Sequence, residues 1–218
     1  MRILIACEES QTVCLTFRER GHEAFSCDIQ DCSGGHPEWH IKDDAIKVAY
    51  SGEWDMMIGH PPCTYLSNAG IGWFNEKYGE KAIIRKANRT EAMDFFMKLY
   101  NAPIEKICIE NPVGYPNSFF RKPDQVIHPY FFGDEHKKGT CLWLKNLPKL
   151  FYCKQDSLFE TKTVVEPKIM SIQYRKPSKY YKGGEEKKRY FTDAYSRNAK
   201  TRSKTFPGIA QAMATQWG

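Results

Sequence analysis

The chain has 218 residues, of which 41% are hydrophobic and 27% are charged, so its length and composition predict one globular domain with room for a small insert. No apolar run approaches the roughly 18 residues of a membrane span, and the apolar start of the chain is too short for a secretory signal. The net charge of +6 is uneven, because residues 162–205 alone carry +9. We therefore expect a cytoplasmic protein that binds a polyanion.

In chain order, the first two thirds of the sequence alternates between strand-like and helix-like segments. Strands are predicted at 2–7, 22–29, 54–60, 106–111 and 140–144, and helices at 10–20, 80–100 and 205–218. The apolar set predicted for the long helix is Ile83, Ile84, Ala87, Ala92, Phe95, Phe96 and Leu99. Strands that alternate with helices predict an α/β fold with a doubly wound sheet.

After about residue 150 the alternation ends, and lysine, tyrosine, glycine and proline dominate. Tyr180, Tyr181, Tyr190 and Phe191 lie among the lysines, and Gly183-Gly184 could turn a hairpin. The segment 151–204 predicts a nucleic-acid contact or, alternatively, a solvated charged surface.

Eight cysteines raise the question of disulfides or zinc. They contain no CxxC pair, several lie in apolar runs, and a cytoplasmic protein should keep them reduced. Cys32, His36 and His40 have the spacing of a zinc site, but Gly34, Gly35 and Pro37 interrupt a helix there.

Polar residues follow the predicted strands at the point where each strand ends. They are Glu8 and Glu9, Asp28, His60 to Cys63, and Glu110-Asn111. In open α/β sheets ligands bind outside the carboxyl ends of the strands, so we expect a site at this edge.

Cys63 follows a strand and two rigid prolines, in the sequence GHPPC. A thiol held in one geometry suits a nucleophile, and the nearby His60 leaves a Cys–His hydrolase open. The alternative is a buried cysteine beside a turn. In IENP, Glu110 ends an apolar strand, where burial would raise its pKa and suit it to share a proton. Asn111 offers a donor and an acceptor beside it, although Asn-Pro is also a common turn pair.

Taken together, Pro61-Pro62-Cys63 and Glu110-Asn111 resemble the paired motifs of DNA cytosine-C5 methyltransferases, and the chain resembles the short members of phages and prophages. The resemblance implies a Rossmann-like S-adenosylmethionine-dependent methyltransferase fold with a small basic insert. It further implies a catalytic domain at 1–150, a reduced target-recognition segment at 151–204, and a C-terminal helix at 205–218 that packs back on the catalytic domain.

The same resemblance implies roles for individual residues. Cys63 would add to cytosine C6, Glu110 would hydrogen-bond or protonate N3, and Asn111 would position the loop. The implied contacts to S-adenosylmethionine are Ala6, Cys7, Glu8, Glu9, Ser10, Asp28, Ile29, Asp44, His60 and Pro61. The implied DNA contacts are Lys137, Lys138, Arg175, Lys187, Lys188 and Arg189.

The turn ACEESQT departs from the family because it has no glycine. This departure leaves open a related enzyme with another donor or a nucleotide substrate. A further alternative is an inactive DNA-binding relative with an anti-restriction role.

Overall fold

The computed structural model describes residues 1–156, 160–174, 177, 186–190 and 204–218. The chain divides into two compact units. The first comprises Met1–Ile127, Gly139–Phe151 and Ala210–Gly218, and the second comprises His128–Lys138 and Tyr152–Ile209.

A seven-stranded sheet forms the centre of the first unit. Its strands are β1 (Arg2–Ala6), β2 (Glu23–Asp28), β3 (His40–Lys42), β4 (Met56–Gly59), β5 (Lys106–Pro112), β6 (Gln125–Ile127) and β7 (Thr140–Lys145). They lie in the order β3-β2-β1-β4-β5-β7-β6, and only β7 runs antiparallel to its neighbours β5 and β6. The predicted α/β class and the largely parallel sheet are confirmed.

Burial explains why β1, β4 and β5 read as apolar runs. All four residues of β4 are buried, as are the last four of β1, because covering both faces of a parallel sheet leaves no polar face. Phe96 and Trp143 meet edge to face with their ring centroids 5.1 Å apart, which joins a long helix to β7.

The helices are α1 (Thr12–Arg18), α2 (Ala45–Ser51), α3 (Glu80–Tyr100), α4 (Pro116–Phe119) and α5 (Pro207–Trp217). In α3 the buried residues are Ala82, Met93, Phe96 and Leu99. The prediction that Ile83, Ile84 and Ala87 belong to the apolar face was wrong, since all three are exposed, Ile83 and Ile84 by 67% and 53%. The amino-terminal half of α3 therefore presents apolar side chains to solvent. No helix in the described ranges is long and apolar enough to cross a membrane.

The second unit contains an antiparallel pair of strands, β8 (Ile169–Tyr174) and β9 (Glu186–Tyr190). The second unit also contains an aromatic cluster, in which the rings of Phe131 and Tyr152 stack with their centroids 4.3 Å apart. The predicted turn at Gly183-Gly184 and the aromatic residues Tyr180, Tyr181 and Phe191 lie outside the described residues.

Candidate active site

The site lies where the sheet reverses its winding, between β1 and β4. Backbone hydrogen bonds hold the ends of three neighbouring strands together: the Glu8 N–H donates to the Cys27 carbonyl at 3.0 Å, and the His60 N–H donates to the Ala6 carbonyl at 2.9 Å. Such a reversal point opens a crevice at the carboxyl ends of the strands, which is the usual ligand position in open α/β sheets.

The turn after β1 contains no glycine, although a left-handed backbone conformation in such a turn usually falls on glycine. Cys7 and Gln11 both adopt the left-handed conformation, with φ values of 61° and 59°. The buried Gln11 side chain compensates, because it donates to the His36 carbonyl at 2.7 Å and accepts from the His36 N–H at 3.1 Å. Glycine supplies close approach at Gly34 instead, where an added Cβ would lie 2.5 Å from the Gln11 Cβ.

Glu8 is a buried cap for α1. Its carboxylate accepts from the Val13 N–H at 2.7 Å and from the Cys14 N–H at 3.2 Å, while the N-cap residue Gln11 offers no side-chain hydrogen bond. Burial raises the pKa of the Glu8 carboxyl, and the charge of His60 opposes that rise. The Glu8 carboxylate is thus committed to the helix, with Glu9, also buried, next to it.

Asp28 and Asp44 lie near Cys7 at the same edge. Burial raises the pKa of the Cys7 thiol, and the charges of Asp28, Cys27 and Asp44 raise it further. The Asp28 carboxylate accepts from the Gln30 N–H at 2.9 Å, and Asp44 caps α2 by accepting from the Ile46 N–H at 2.7 Å. The charges of both acids therefore act on the Cys7 thiol, although each carboxylate also has a local structural partner.

Ile29, which follows Asp28, is 75% exposed. It offers an apolar surface beside the strand end. Ser10 pairs its hydroxyl with that of Thr12 at 3.1 Å.

The Cys63 loop, residues 61–67, leaves β4 and folds against the chain that follows β5. Its half-buried Cys63 starts a turn in which the Cys63 carbonyl accepts from the Leu66 and Ser67 N–H groups at 3.1 and 2.9 Å. The Asn111 side chain donates to the Pro61 carbonyl at 2.8 Å. Asn111 therefore ties the strand that carries Glu110 to the loop that carries Cys63.

Gly114 makes the second tie between these segments. The Tyr115 N–H donates to the Leu66 carbonyl at 2.7 Å, and Ser67 pairs with Gly114 as an isolated bridge. A Cβ on Gly114 would lie 2.0 Å from the Leu66 oxygen, so only glycine permits this approach.

Two arginines of α3 hold the same loop from the other side, and sequence reasoning missed them. Arg85 donates to the Thr64 carbonyl at 3.1 Å and lies over the Tyr65 ring, and Arg89 donates to the Tyr65 carbonyl at 3.4 Å. Burial lowers the pKa of Arg89. The available signal was their four-residue spacing, which places both on one helix face.

His60 and Glu110 form a close pair at this edge. The His60 Nδ1 lies 3.1 Å from the Glu110 Oε2, and their side chains are 9% and 18% exposed. A pair so shielded from solvent interacts strongly and can share a proton.

The remaining candidates divide between other roles and other places. Among the described residues, no group of three side chains could hold a metal ion; His36 instead contacts Glu38, and His40 contacts Ser26. All eight cysteines, which fall in described ranges, are free thiols.

The proposed DNA-contacting cations fall in the second unit. Lys137 lies 4.0 Å from the Tyr190 ring centroid, Lys138 lies 5.6 Å from that of Phe206, and Lys188 pairs with Glu186 at 3.7 Å. Arg189 lies in β9, whereas Arg175 and the Lys187 side chain lie outside the described residues.

No family model matches the chain, and no curated protein matches it. Solved structures do match, among them a candidate DNA modification methyltransferase encoded within a prophage of E. coli, with 14% sequence identity and a TM-score of 0.45. The match covers 84% of this chain and 62% of that protein. The chain thus spans less than two thirds of the length of this structural neighbour.

Proposed function

We propose that the chain is a DNA cytosine-C5 methyltransferase in which Cys63 attacks the base and S-adenosylmethionine is the methyl donor. The observation that carries the proposal is the hydrogen bond of 2.8 Å from Asn111 to the Pro61 carbonyl. It joins the two motifs that the resemblance pairs, Pro-Pro-Cys and Glu-Asn, at one edge of the sheet. Each motif alone fits a turn, but their joining favours a shared site.

The chemistry assigns each of these residues a task. Cytosine C5 is a poor nucleophile until a group adds to C6, and the Cys63 thiolate is suited to that addition. Charge then develops on the ring, and a proton from Glu110 at N3 would stabilise it. Asn111 would keep the Cys63 loop in register with Glu110. C5 would then bond to the methyl group that the donor supplies, and loss of the C5 proton would finally expel the Cys63 thiolate.

The strand ends fit the proposed cofactor in part. Asp28 ends β2 where an acidic residue binds ribose hydroxyls in dinucleotide folds, and Asp44 lies close enough to share its effect on Cys7. Glu8 fits less well, because its carboxylate caps α1. Residues Ala6 to Ser10, with Ile29, His60 and Pro61, would complete the surroundings. When bound, S-adenosylmethionine supplies an electrophilic methyl group.

DNA is the proposed substrate, and its target base would have to leave the helix to reach a half-buried thiol. Lys137, Lys138, Lys188 and Arg189, together with Arg175 and Lys187, are the proposed phosphate contacts.

The test is transfer of tritium from methyl-labelled S-adenosylmethionine to mixed-sequence DNA. Wild type should yield labelled 5-methylcytosine, Cys63→Ser should yield none, and Cys32→Ser, which also changes a half-buried cysteine, should match wild type. Absence of transfer by wild type to single- or double-stranded DNA would contradict the proposal. A nucleotide substrate, another donor or a binding function would then be examined.

A further inference from the structure

His60 lies between two acidic side chains that come from different strands. Its Nδ1 is 3.1 Å from the Glu110 Oε2 on β5, and its charge lowers the pKa of Glu8, which follows β1. Both members of the His60–Glu110 pair are largely shielded from solvent. In this setting a proton on the imidazole is attracted from both sides.

Among the described residues, electrostatic effects link the pair to acids and thiols on neighbouring strands. Glu8 and Glu9 follow β1, and the Glu9 charge raises the pKa of Glu8. Burial raises the pKa of Cys108 in β5 and of Cys141 in β7, and the Glu110 charge raises both further. Negative charge on Glu110 therefore affects the ionisation of buried thiols on its own strand and on the neighbouring strand. A neighbouring proton donor would relieve it.

Glu110 needs a proton donor during the proposed reaction, and His60 lies close enough to be that donor. In the proposed reaction it gives a proton to cytosine N3 and becomes a carboxylate in a poorly solvated place. A carboxylate within hydrogen-bond reach of an imidazolium can be neutralised without water.

On the basis of the proposed function, we propose that His60 is a positioning residue for Glu110. It orients the Glu110 carboxyl group and replaces the proton that Glu110 gives to cytosine N3. As the sulfur–C6 bond forms, the C5=C6 pair becomes a C4=C5 bond and the C4=N3 pair moves to N3. N3 takes the Glu110 proton, and the Glu110 Oε2 takes the proton from the His60 Nδ1. C5 then bonds to the transferred methyl group with the C4=C5 pair, and the N3 lone pair re-forms the C4=N3 bond. Loss of the C5 hydrogen as a proton to solvent supplies the pair that re-forms C5=C6 and breaks the sulfur–C6 bond. The N3 proton returns to Glu110, which gives its Oε2 proton back to the His60 Nδ1.

The experiment measures release of tritium from DNA that carries [5-³H]cytosine, which follows addition and elimination at the base, as a function of pH. His60→Asn keeps an N–H near the position of Nδ1 but cannot exchange a proton, and His60→Phe keeps neither. We expect release near neutral pH to fall about 10-fold in His60→Asn and about 100-fold in His60→Phe. The limb of the wild-type profile that falls with rising pH should move to lower pH in His60→Asn. His22→Asn, a change at the opposite edge of the sheet, should retain the wild-type rate and profile.

A second readout needs no turnover. Imidazole ¹⁵N chemical shifts of the free protein should place a proton on His60 Nδ1 and should change together with the Glu110 carboxyl ¹³C shift. His60 protonated only at Nε2 over the whole pH range, or a His60→Asn profile that matches wild type, would overturn the inference while leaving the proposed function standing. No release by wild type would overturn both.

Discussion

The turn after β1 and the Cys63 loop are neighbours at one sheet edge, but they are held in different ways. In the turn, polar side chains of the turn itself stabilise the backbone: Glu8 caps α1, and Gln11 binds the His36 backbone. In the loop, the supports come from elsewhere, namely Asn111 and the arginines of α3. A change in the turn should therefore act first on stability, and a change around the loop should act first on the reaction.

Asn111→Ala should give the largest effect among the changes around the Cys63 loop. Removal of the amide leaves the buried Pro61 carbonyl without that donor, which should cost about 1–2 kcal/mol of stability. Methyl transfer should fall about 100-fold, because the geometry of Cys63 relative to Glu110 is lost. Steady-state kinetics and urea unfolding measure the two quantities. Asn101→Ala, at the exposed end of α3, is the control and should change neither. Loss of stability alone, with full activity, would contradict a role for Asn111 in positioning the Cys63 loop.

Gly114→Ala should act next, through backbone contact. The added methyl group would meet the Leu66 carbonyl oxygen, so the loop must shift, at a cost of about 1–3 kcal/mol. Activity should fall about 10-fold, in proportion to a displaced but intact loop. The matched control is Gly72→Ala, because a Cβ on Gly72 meets nothing within 4 Å. Equal thermal stability and activity of the two variants would contradict this account of the loop.

Glu8→Gln, a change in the turn after β1, should give the smallest effect. The pKa of Glu8 is raised above its ordinary 4.5 in the folded state, so its contribution to stability is greatest below pH 4.5 and is lost as pH rises through the folded-state pKa. Glutamine keeps one acceptor for α1 and does not ionise. The stability of wild type relative to Glu8→Gln should therefore decline as pH increases, in urea unfolding over a pH series. A difference that is independent of pH would show that Glu8 does not titrate in this range.

Much of the sheet could be predicted from apolar runs. The strands predicted at 2–7, 22–29, 54–60, 106–111 and 140–144 each correspond to a strand of the structure within two residues at either end. The three-residue strands β3 and β6 were not predicted, because three residues are too few to show a pattern of apolar and polar positions. The antiparallel direction of β7 also escaped, since burial on both faces gives the same run in either direction.

The position of the candidate site could be predicted as well, since strand-end polar residues meet at one edge of a parallel sheet. The role of each side chain at that edge could not be predicted. Glu8 caps α1 and Asp44 caps α2 through contacts that depend on how the helices follow the strands. Arg85 reaches the Thr64 carbonyl across 21 positions of sequence, a contact that only the packing of α3 creates.

Covalent capture of Cys63 on a cytosine whose C5 position cannot lose a proton tests most directly whether Cys63 is the nucleophile. Wild type would be incubated with S-adenosylmethionine and DNA that contains 5-fluorocytosine, and the adduct would be digested and sequenced by mass spectrometry. We predict a DNA-linked peptide with the modification on Cys63, absent in Cys63→Ser and unchanged in Cys32→Ser. Methylation of ordinary DNA with no adduct at Cys63, or with an adduct at another cysteine, would contradict the assignment of the nucleophile.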